Sequence, residues 1–421
     1  MASFSSRYLH ATAAMLCVML LAFLDPSAGD VGKPMSAPVT SAGTGLTFTL
    51  LPRNRFGAKC LDGSPPGYYF RPGSGAGKDS WHVFLPFGGW CTTPGECEWR
   101  ATQIHYGSTK PALQATNPFN NAMQGYRGIL SLNKTENPRF YNWNLVMPVY
   151  CDGGGFAGRA GFKNVSGSEG VYLLGWSIIK AVLTDVTDRR GLKTASQVLL
   201  SGVSAGAEAV VTLCDQLPAL VPSAKTTKCL MDSGFFLDAL DRKKKHTFKK
   251  TIIRMAALHD FIGNPRCARA QDATSKWKCF FPQHATKFIK SQVFIVNSLF
   301  DINALILGNQ LPPMNRTYAI NCINEVMSIP DLKKEIEANT TSLQELAAKN
   351  ANKNCTSAES QAMIGFAQQL LQVTSSLKSA KFSSFIQYAP NHGIINYETW
   401  NTFISNGLSL RETVEKWYFG S

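Results

Sequence analysis

The stretch Val198-Leu199-Leu200-Ser201-Gly202-Val203-Ser204-Ala205-Gly206-Ala207-Glu208-Ala209-Val210-Val211-Thr212-Leu213 decides the fold. It opens on an apolar run, passes through a glycine–serine–glycine pattern, and continues with alanines and valines. Gly202 to Gly206 matches G-x-S-x-G, the turn in which a strand enters a helix so tightly that a Cβ at the glycines would clash. The serine is then held, strained, at the carboxyl end of the sheet. Chance produces a five-residue pattern readily. Context is what makes this one informative: the run at 198–200 reads as a strand and Ala205 to Leu217 as a helix, as the motif requires.

Working outward, short apolar runs at Trp81 to Leu85, Leu145 to Tyr150, Gln197 to Ser201 and Gln292 to Asn297 read as buried parallel strands. Helical patterns lie between them, notably Gly170 to Arg190. Strands alternating with helices predict an α/β fold of α/β-hydrolase type, with a mostly parallel sheet and helices on both faces. Residues 30–47 are rich in Gly, Pro, Ser and Thr and read as a flexible lead-in. No long linker follows, so residues 48–421 read as one elaborated domain. Within it, 325–381 is Lys-, Glu- and Gln-rich and helical in pattern, either a surface insertion or a cap that shapes a substrate cleft.

A serine hydroxyl attacks only when a base takes its proton, and the base needs an acid to orient it. In this fold the chain order is Ser, then Asp or Glu, then His. Val293-Phe294-Ile295-Val296-Asn297 runs into Ser298-Leu299-Phe300-Asp301, placing Asp301 just past a strand end. His392, in the turn-like Pro390-Asn391-His392-Gly393, is the one histidine after it. Ser204, Asp301 and His392 are therefore the predicted triad, with Asp232 of Met231-Asp232-Ser233-Gly234 as the rival acid. An acyl-transfer site also needs donors for the developing oxyanion. The Ala205 amide follows the nucleophile directly. Phe84-Leu85-Pro86-Phe87-Gly88-Gly89-Trp90-Cys91, a strand running into paired glycines, offers the amides of Gly89 and Trp90. No metal or other cofactor is called for by this chemistry.

Arg7, the apolar run Ala11 to Leu24 and the small residues Ser27, Ala28 and Gly29 have the layout of a cleavable signal peptide over residues 1–29. Of 11 cysteines, Cys17 lies in that leader and ten remain, an even number that favours disulfides in an exported chain. Asn133, Asn164, Asn315, Asn339 and Asn354 begin glycosylation sequons. The net charge is +14, densest at Arg242 to Lys245 with Lys249, Lys250 and Arg254 following. That run reads either as a solvated helix face or as an attraction for a polyanion such as an acidic polysaccharide. Nucleic acid fits poorly, because no nucleic-acid module is present. No later segment is apolar enough to span a bilayer. A secreted, extracellular monomer, active in a cell wall where its substrate is wall polysaccharide, is the expectation.

The chain resembles the family shared by plant pectin acetylesterases and the animal carboxylesterase Notum, from about Cys60 to Trp400. The landmarks are Cys60-Leu61-Asp62-Gly63-Ser64-Pro65-Pro66, Gly88-Gly89-Trp90-Cys91, Phe140-Tyr141-Asn142-Trp143-Asn144, Tyr150-Cys151-Asp152-Gly153, the elbow, Asp232-Ser233-Gly234-Phe235-Phe236-Leu237-Asp238 and Cys279-Phe280-Phe281-Pro282-Gln283. The resemblance implies the triad Ser204, Asp301 and His392, oxyanion donors Gly89, Trp90 and Ala205, and a substrate pocket lined by Trp90. It also implies, together with proximity, the pairs Cys60–Cys151, Cys91–Cys97, Cys214–Cys229, Cys267–Cys279 and Cys322–Cys355. Pro86-Phe87 stands where the family has an acidic and glycine-rich approach, so Phe87 is expected to reshape the loop or narrow the pocket. Ala207 and Glu208 replace a glycine and a small or apolar residue. The implied activity is hydrolysis of an acyl ester, with an acetylated polysaccharide as leading substrate. Removal of a fatty acyl group from a protein shares the chemistry, and a non-catalytic glycan-binding protein could keep the fold.

Overall fold

The computed structural model describes residues 39–40, 45–52, 55–103, 106–110, 127–312, 316–338, 354–377, 379 and 381–420. The leader at 1–29 and the sequons at Asn315 and Asn339 lie outside the described residues. Eleven strands matter here: β1 (Val39–Thr40), β2 (Thr47–Leu50), β3 (Gly67–Arg71), β4 (Ser80–Leu85), β5 (Asn144–Pro148), β6 (Gly161–Lys163), β7 (Val171–Leu173), β8 (Gln197–Val203), β9 (Thr226–Asp232), β10 (Gln292–Ser298) and β11 (Phe382–Gln387). Nine of them form one sheet in the order β1-β2-β3-β5-β4-β8-β9-β10-β11, while β6 and β7 pair separately. From β5 to β11 every neighbour is parallel. β1, β2 and β3 form an antiparallel margin. The sheet is thus mostly parallel, and the fold is of α/β-hydrolase type.

β4 is buried along its whole length and β8 at all but its first residue, which requires cover on both faces. The helices of the chain include α1 (Pro94–Thr102), α2 (Gly175–Arg189), α3 (Ala205–Leu213), α4 (Thr247–His259), α5 (Ile302–Leu307), α6 (Arg316–Met327), α7 (Leu332–Ala338) and α8 (Ser357–Ser376), of which α3 packs on β4, β8 and β9. Register sets where chemistry can gather. Leu85 pairs with Gly202, Val203 with Asp232, Asp232 with Val296, and Ser298 with Gln387. The carboxyl ends of β4, β8, β9, β10 and β11 therefore finish side by side, and the segments leaving them share one rim.

Several elements differ from the sequence reading. Val39 and Thr40, read as part of the lead-in, pair with Phe48 and Thr47. The helix read over 170–190 is divided: Val171–Leu173 is a strand and the helix starts at Gly175. The basic run Arg242 to Lys245 is not a helix face. It forms a turn before α4, because the Asp241 carboxylate accepts the amides of Lys243 and Lys245 at 2.8 and 2.9 Å. The helical segment begins earlier than 325, at Arg316.

Five disulfides join Cys60 to Cys151, Cys91 to Cys97, Cys214 to Cys229, Cys267 to Cys279 and Cys322 to Cys355. Asn133, Asn164 and Asn354 are exposed. Among the described residues, no helix is long and apolar enough to cross a membrane.

Candidate active site

β8 delivers Ser204 to the rim. Its backbone is held at φ 57° and ψ −120°, a conformation that L residues adopt at a cost. Two glycines make that turn possible. A Cβ on Gly202 would drive into the carbonyl of Gly206, and one on Gly206 into the carbonyl of Leu85. The Ser204 amide donates to the carbonyl of Asp232 at 2.9 Å, anchoring the elbow to the neighbouring strand.

Asp301 follows β10 and caps α5. Its Oδ1 accepts the amides of Asn303 and Ala304 at 2.9 and 3.0 Å. The carboxylate is fully buried and also faces His392, whose Nδ1 lies 2.9 Å from Oδ1 and 2.8 Å from Oδ2. His392 follows β11, so acid and base arrive from adjacent parallel strands. Nε2 of His392 has no hydrogen bond within the described residues, which leaves it available for a substrate-side proton. Burial by itself disfavours a charged imidazole. The Asp301 charge and hydrogen bond, with Asp232 beyond them, outweigh burial and raise the ring above its ordinary value of 6.5. The ring is a base only when neutral. The rate of ester cleavage is therefore expected to fall as pH drops through a value above 6.5, and a pH–rate profile with its acid limb below 6.5 would contradict this.

Asp232, the rival acid, makes no hydrogen bond with the imidazole. Its Oδ2 accepts the amides of Ile394 and Ile395, the latter at 2.8 Å, and its Oδ1 takes the Ser233 hydroxyl at 2.8 Å. Ser233, itself at φ 53°, accepts the Gly393 amide on Oγ at 2.8 Å. Asp232 thus ties two segments together: its carbonyl holds Ser204 and its carboxylate holds the residues just after His392. Burial pushes this carboxyl up to about 6, against the amides of Ile395 and Ile394, the Ser233 hydroxyl and His392. Sequence alone offered Asp232 only as an alternative to Asp301.

The glycine loop follows β4. Gly89 takes φ 64°, so the left-handed turn falls on a glycine and Phe87 is spared it. Phe87 is half-buried against the core. Arg100 of α1 donates to the Gly88 carbonyl at 2.6 Å, the Tyr150 hydroxyl donates to the Gly89 carbonyl, and the Cys91 amide donates to Gly153 at 3.0 Å. With its carbonyls held this way, the loop keeps the amides of Gly89 and Trp90 free of hydrogen bonds within the described residues. The Ala205 amide is the first of α3, one of those a helix cannot satisfy internally. The Trp90 indole stands edge-on to Phe236 and Phe280, with ring centroids 5.1 and 5.0 Å away.

A cavity of about 360 Å³ opens between the segment 238–246 and α8, lined among others by Asp238, Lys244, His246, Gln361 and Gln369. The helical insertion is therefore one wall of a cleft of mixed lining, with Leu240, Asp241 and Phe366 also on it and Ser204, Asp301 and His392 not among its lining residues. Asp238 there pairs with His246 at 2.6 Å and Lys249 at 2.9 Å. Cys91, Cys97 and His259 form the one His/Cys/Asp/Glu group of metal-ligand spacing among the described residues, but both sulfurs are bonded to each other.

The family model described as pectinacetylesterase matches residues 39–421, nearly all of the chain. The chain belongs to the pectinacetylesterase family. It is 34% identical to pectin acetylesterase 5 of Arabidopsis thaliana over 68% of this chain and 65% of that one. It is 30% identical to pectin acetylesterase 4 of the same plant over 86% and 80%. The palmitoleoyl-protein carboxylesterase NOTUM of Homo sapiens is 30% identical over 59% of this chain and 50% of its own. The match spans less than two thirds of Arabidopsis pectin acetylesterases 7 and 5, at 59% and 65% of their lengths.

Proposed function

We propose that this pectinacetylesterase-family protein is a secreted serine carboxylic-ester hydrolase that removes acetyl groups from an acetylated polysaccharide. The observation that carries it is the His392–Asp301 pair, hydrogen-bonded at 2.8 Å on the rim where the elbow also presents Ser204. His392 Nε2 takes the hydroxyl proton as Ser204 Oγ bonds to the ester carbonyl carbon. The amides of Ala205, Trp90 and Gly89 receive the negative oxygen. The proton passes to the departing sugar hydroxyl as the old C–O bond breaks, leaving acetyl on Ser204. Water, activated by the same imidazole, then releases acetate and restores the serine. Asp301 steadies the imidazolium at both transfers.

Acyl length separates this from removal of a fatty chain, the activity in the name of the animal relatives. The plant relatives, 34% identical to this chain, carry the name pectin acetylesterase, and that favours the acetyl group. The excess of Lys and Arg suits an acidic glycan. Five disulfides suit an oxidising, extracellular setting.

The test is hydrolysis of para-nitrophenyl acetate, butyrate and octanoate, followed by acetate release from acetylated pectin. Acetate is expected to be cleaved fastest, and only by protein that retains Ser204. A preference for octanoate would turn the assignment toward fatty-acyl removal. Equal, negligible rates for folded wild type and Ser204→Ala would leave a non-catalytic glycan-binding role.

A further inference from the structure

Planarity joins the front of the glycine loop to its back. A peptide unit is flat and trans, so its C=O and the N–H of the next residue point in opposite directions. The Gly88 carbonyl and the Gly89 amide form one such unit, and the Gly89 carbonyl and the Trp90 amide form the next. Between them Gly89 stands at φ 64°, a left-handed turn of the kind that lets consecutive amides converge on an anion. Whatever fixes the two carbonyls therefore fixes the two candidate oxyanion donors.

Both carbonyls are held, and by different elements. Arg100 of α1 gives Nη2 to the Gly88 carbonyl at 2.6 Å. Tyr150, two residues past β5, gives its hydroxyl to the Gly89 carbonyl. The same hydroxyl accepts the Gly155 amide at 3.1 Å, so the bonds run in series, amide to phenol to carbonyl, and each strengthens the next. Both side chains are buried, so little water competes for either bond. Helix α1 binds the loop a second time through the Cys91–Cys97 disulfide. Cys97 and Arg100 lie three residues apart, on one face of the helix, so one element grips the loop at both ends. The guanidinium is itself seated near the rings of Tyr106 and Tyr150, 5.7 and 5.9 Å from their centroids.

We infer that Arg100 and Tyr150 are positioning residues of the proposed ester hydrolysis: Arg100 aims and polarises the peptide that carries the Gly89 amide, and Tyr150 the peptide that carries the Trp90 amide. A hydrogen bond to a carbonyl draws electron density toward its oxygen and leaves the N–H of the same peptide a stronger donor. The guanidinium, being charged, does this about twice as strongly as the phenol. In this scheme neither side chain touches substrate. Both take effect as negative charge grows on the ester oxygen, through donors already in place.

The experiment measures kcat and KM for para-nitrophenyl acetate in wild type, Tyr150→Phe, Arg100→Met and Arg100→Lys. Tyr150→Phe removes one oxygen and keeps the ring, and should lower kcat about tenfold, the worth of one neutral hydrogen bond. Arg100→Met should lower it about a hundredfold, since a charged donor counts about double, and Arg100→Lys should recover part of that loss. KM should stay where it was, as for an interaction made only in the transition state. A loss confined to KM, or wild-type kcat in both Tyr150→Phe and Arg100→Met, overturns the inference. Should Arg100→Met fail to fold, Tyr150→Phe decides. Inhibition by trifluoroacetone separates donor strength from general loosening. Ser204 Oγ adds to its carbonyl carbon as the hydroxyl proton moves to His392, which leaves a stable negative oxygen facing the same amides. Its inhibition constant should rise by the factor by which kcat/KM falls; a constant unchanged in variants of reduced kcat also overturns the inference. A last arm needs no activity. With tryptophan isotope-labelled at the backbone nitrogen, the Trp90 amide resonance, identified by its loss in Trp90→Phe, should move upfield in Tyr150→Phe more than that of any other tryptophan. Equal, negligible rates in wild type and Ser204→Ala together with that movement reject the esterase function and leave the Tyr150 hold on the loop standing. A Trp90 resonance that stays in place rejects the hold itself.

Discussion

Replacing Ser204 by alanine is expected to lower kcat for para-nitrophenyl acetate by about 10⁶-fold, and replacing His392 by alanine to lower it about as far. The hydroxyl is a poor nucleophile until its proton leaves, and the imidazole has nothing to activate once the hydroxyl is gone. In the proposed mechanism the two side chains act as one device, so the double variant should fall no further than either single one. Stability should hardly change. The structural hydrogen bond of Ser204 is made by its amide, to the Asp232 carbonyl, and alanine keeps it. A shift within about 0.5 kcal/mol is expected. Losses that multiply in the double variant would show that His392 does not act through Ser204. The comparison needs only purified wild type and three variants, each checked for folding before its rate is read.

How much of this site was legible beforehand depends on whether its residues signal locally. The elbow did: Gly202 and Gly206 are glycines because backbone carbonyls occupy the space a Cβ would take, and that steric demand leaves the same mark in any sequence that folds this way. Asp301 was readable because an unbroken apolar strand runs into it, and His392 because one histidine follows. β9 was not readable. It opens Thr226-Thr227-Lys228, and the lysine lies in a central strand because its ammonium reaches the Trp417 carbonyl at 2.7 Å. β11 carries serines at 383 and 384 and has a neighbour on one side only, so burial did not demand an apolar run. The work of Asp232 was hidden for a related reason. Its carboxylate holds amides 162 and 163 residues away, a relation that exists only once β9, β10 and β11 are in register. Glu208 stood out as a departure from the family's small or apolar residue, but its complete burial becomes visible only in the folded chain.

Asp301→Asn is expected to cost about 10⁴-fold in kcat, and Asp232→Asn far less. Both carboxylates are buried near His392, so proximity does not choose between them; their partners do. Asp301 meets Nδ1 with both oxygens, which fixes the ring with its proton on that nitrogen and leaves Nε2 to work as base. An amide in that place can turn its NH₂ toward the ring and favour the wrong tautomer. Its remaining oxygen still caps the amides of Asn303 and Ala304, so the fold should survive. The raised pKa of His392 should drop as well, since the Asp301 charge is the largest influence raising it, and the acid limb should move to lower pH. Asp232 has other work. An asparagine there can still offer one oxygen to the amides of Ile394 and Ile395, while its NH₂ faces a Ser233 hydroxyl able to accept. Asp232→Ala, by contrast, strands two buried amides at about 1–3 kcal/mol each and should loosen the segment that carries His392. The kcat ratio of the two asparagine variants decides the assignment: a greater loss in Asp232→Asn would make Asp232 the orienting acid and reduce Asp301 to a helix cap.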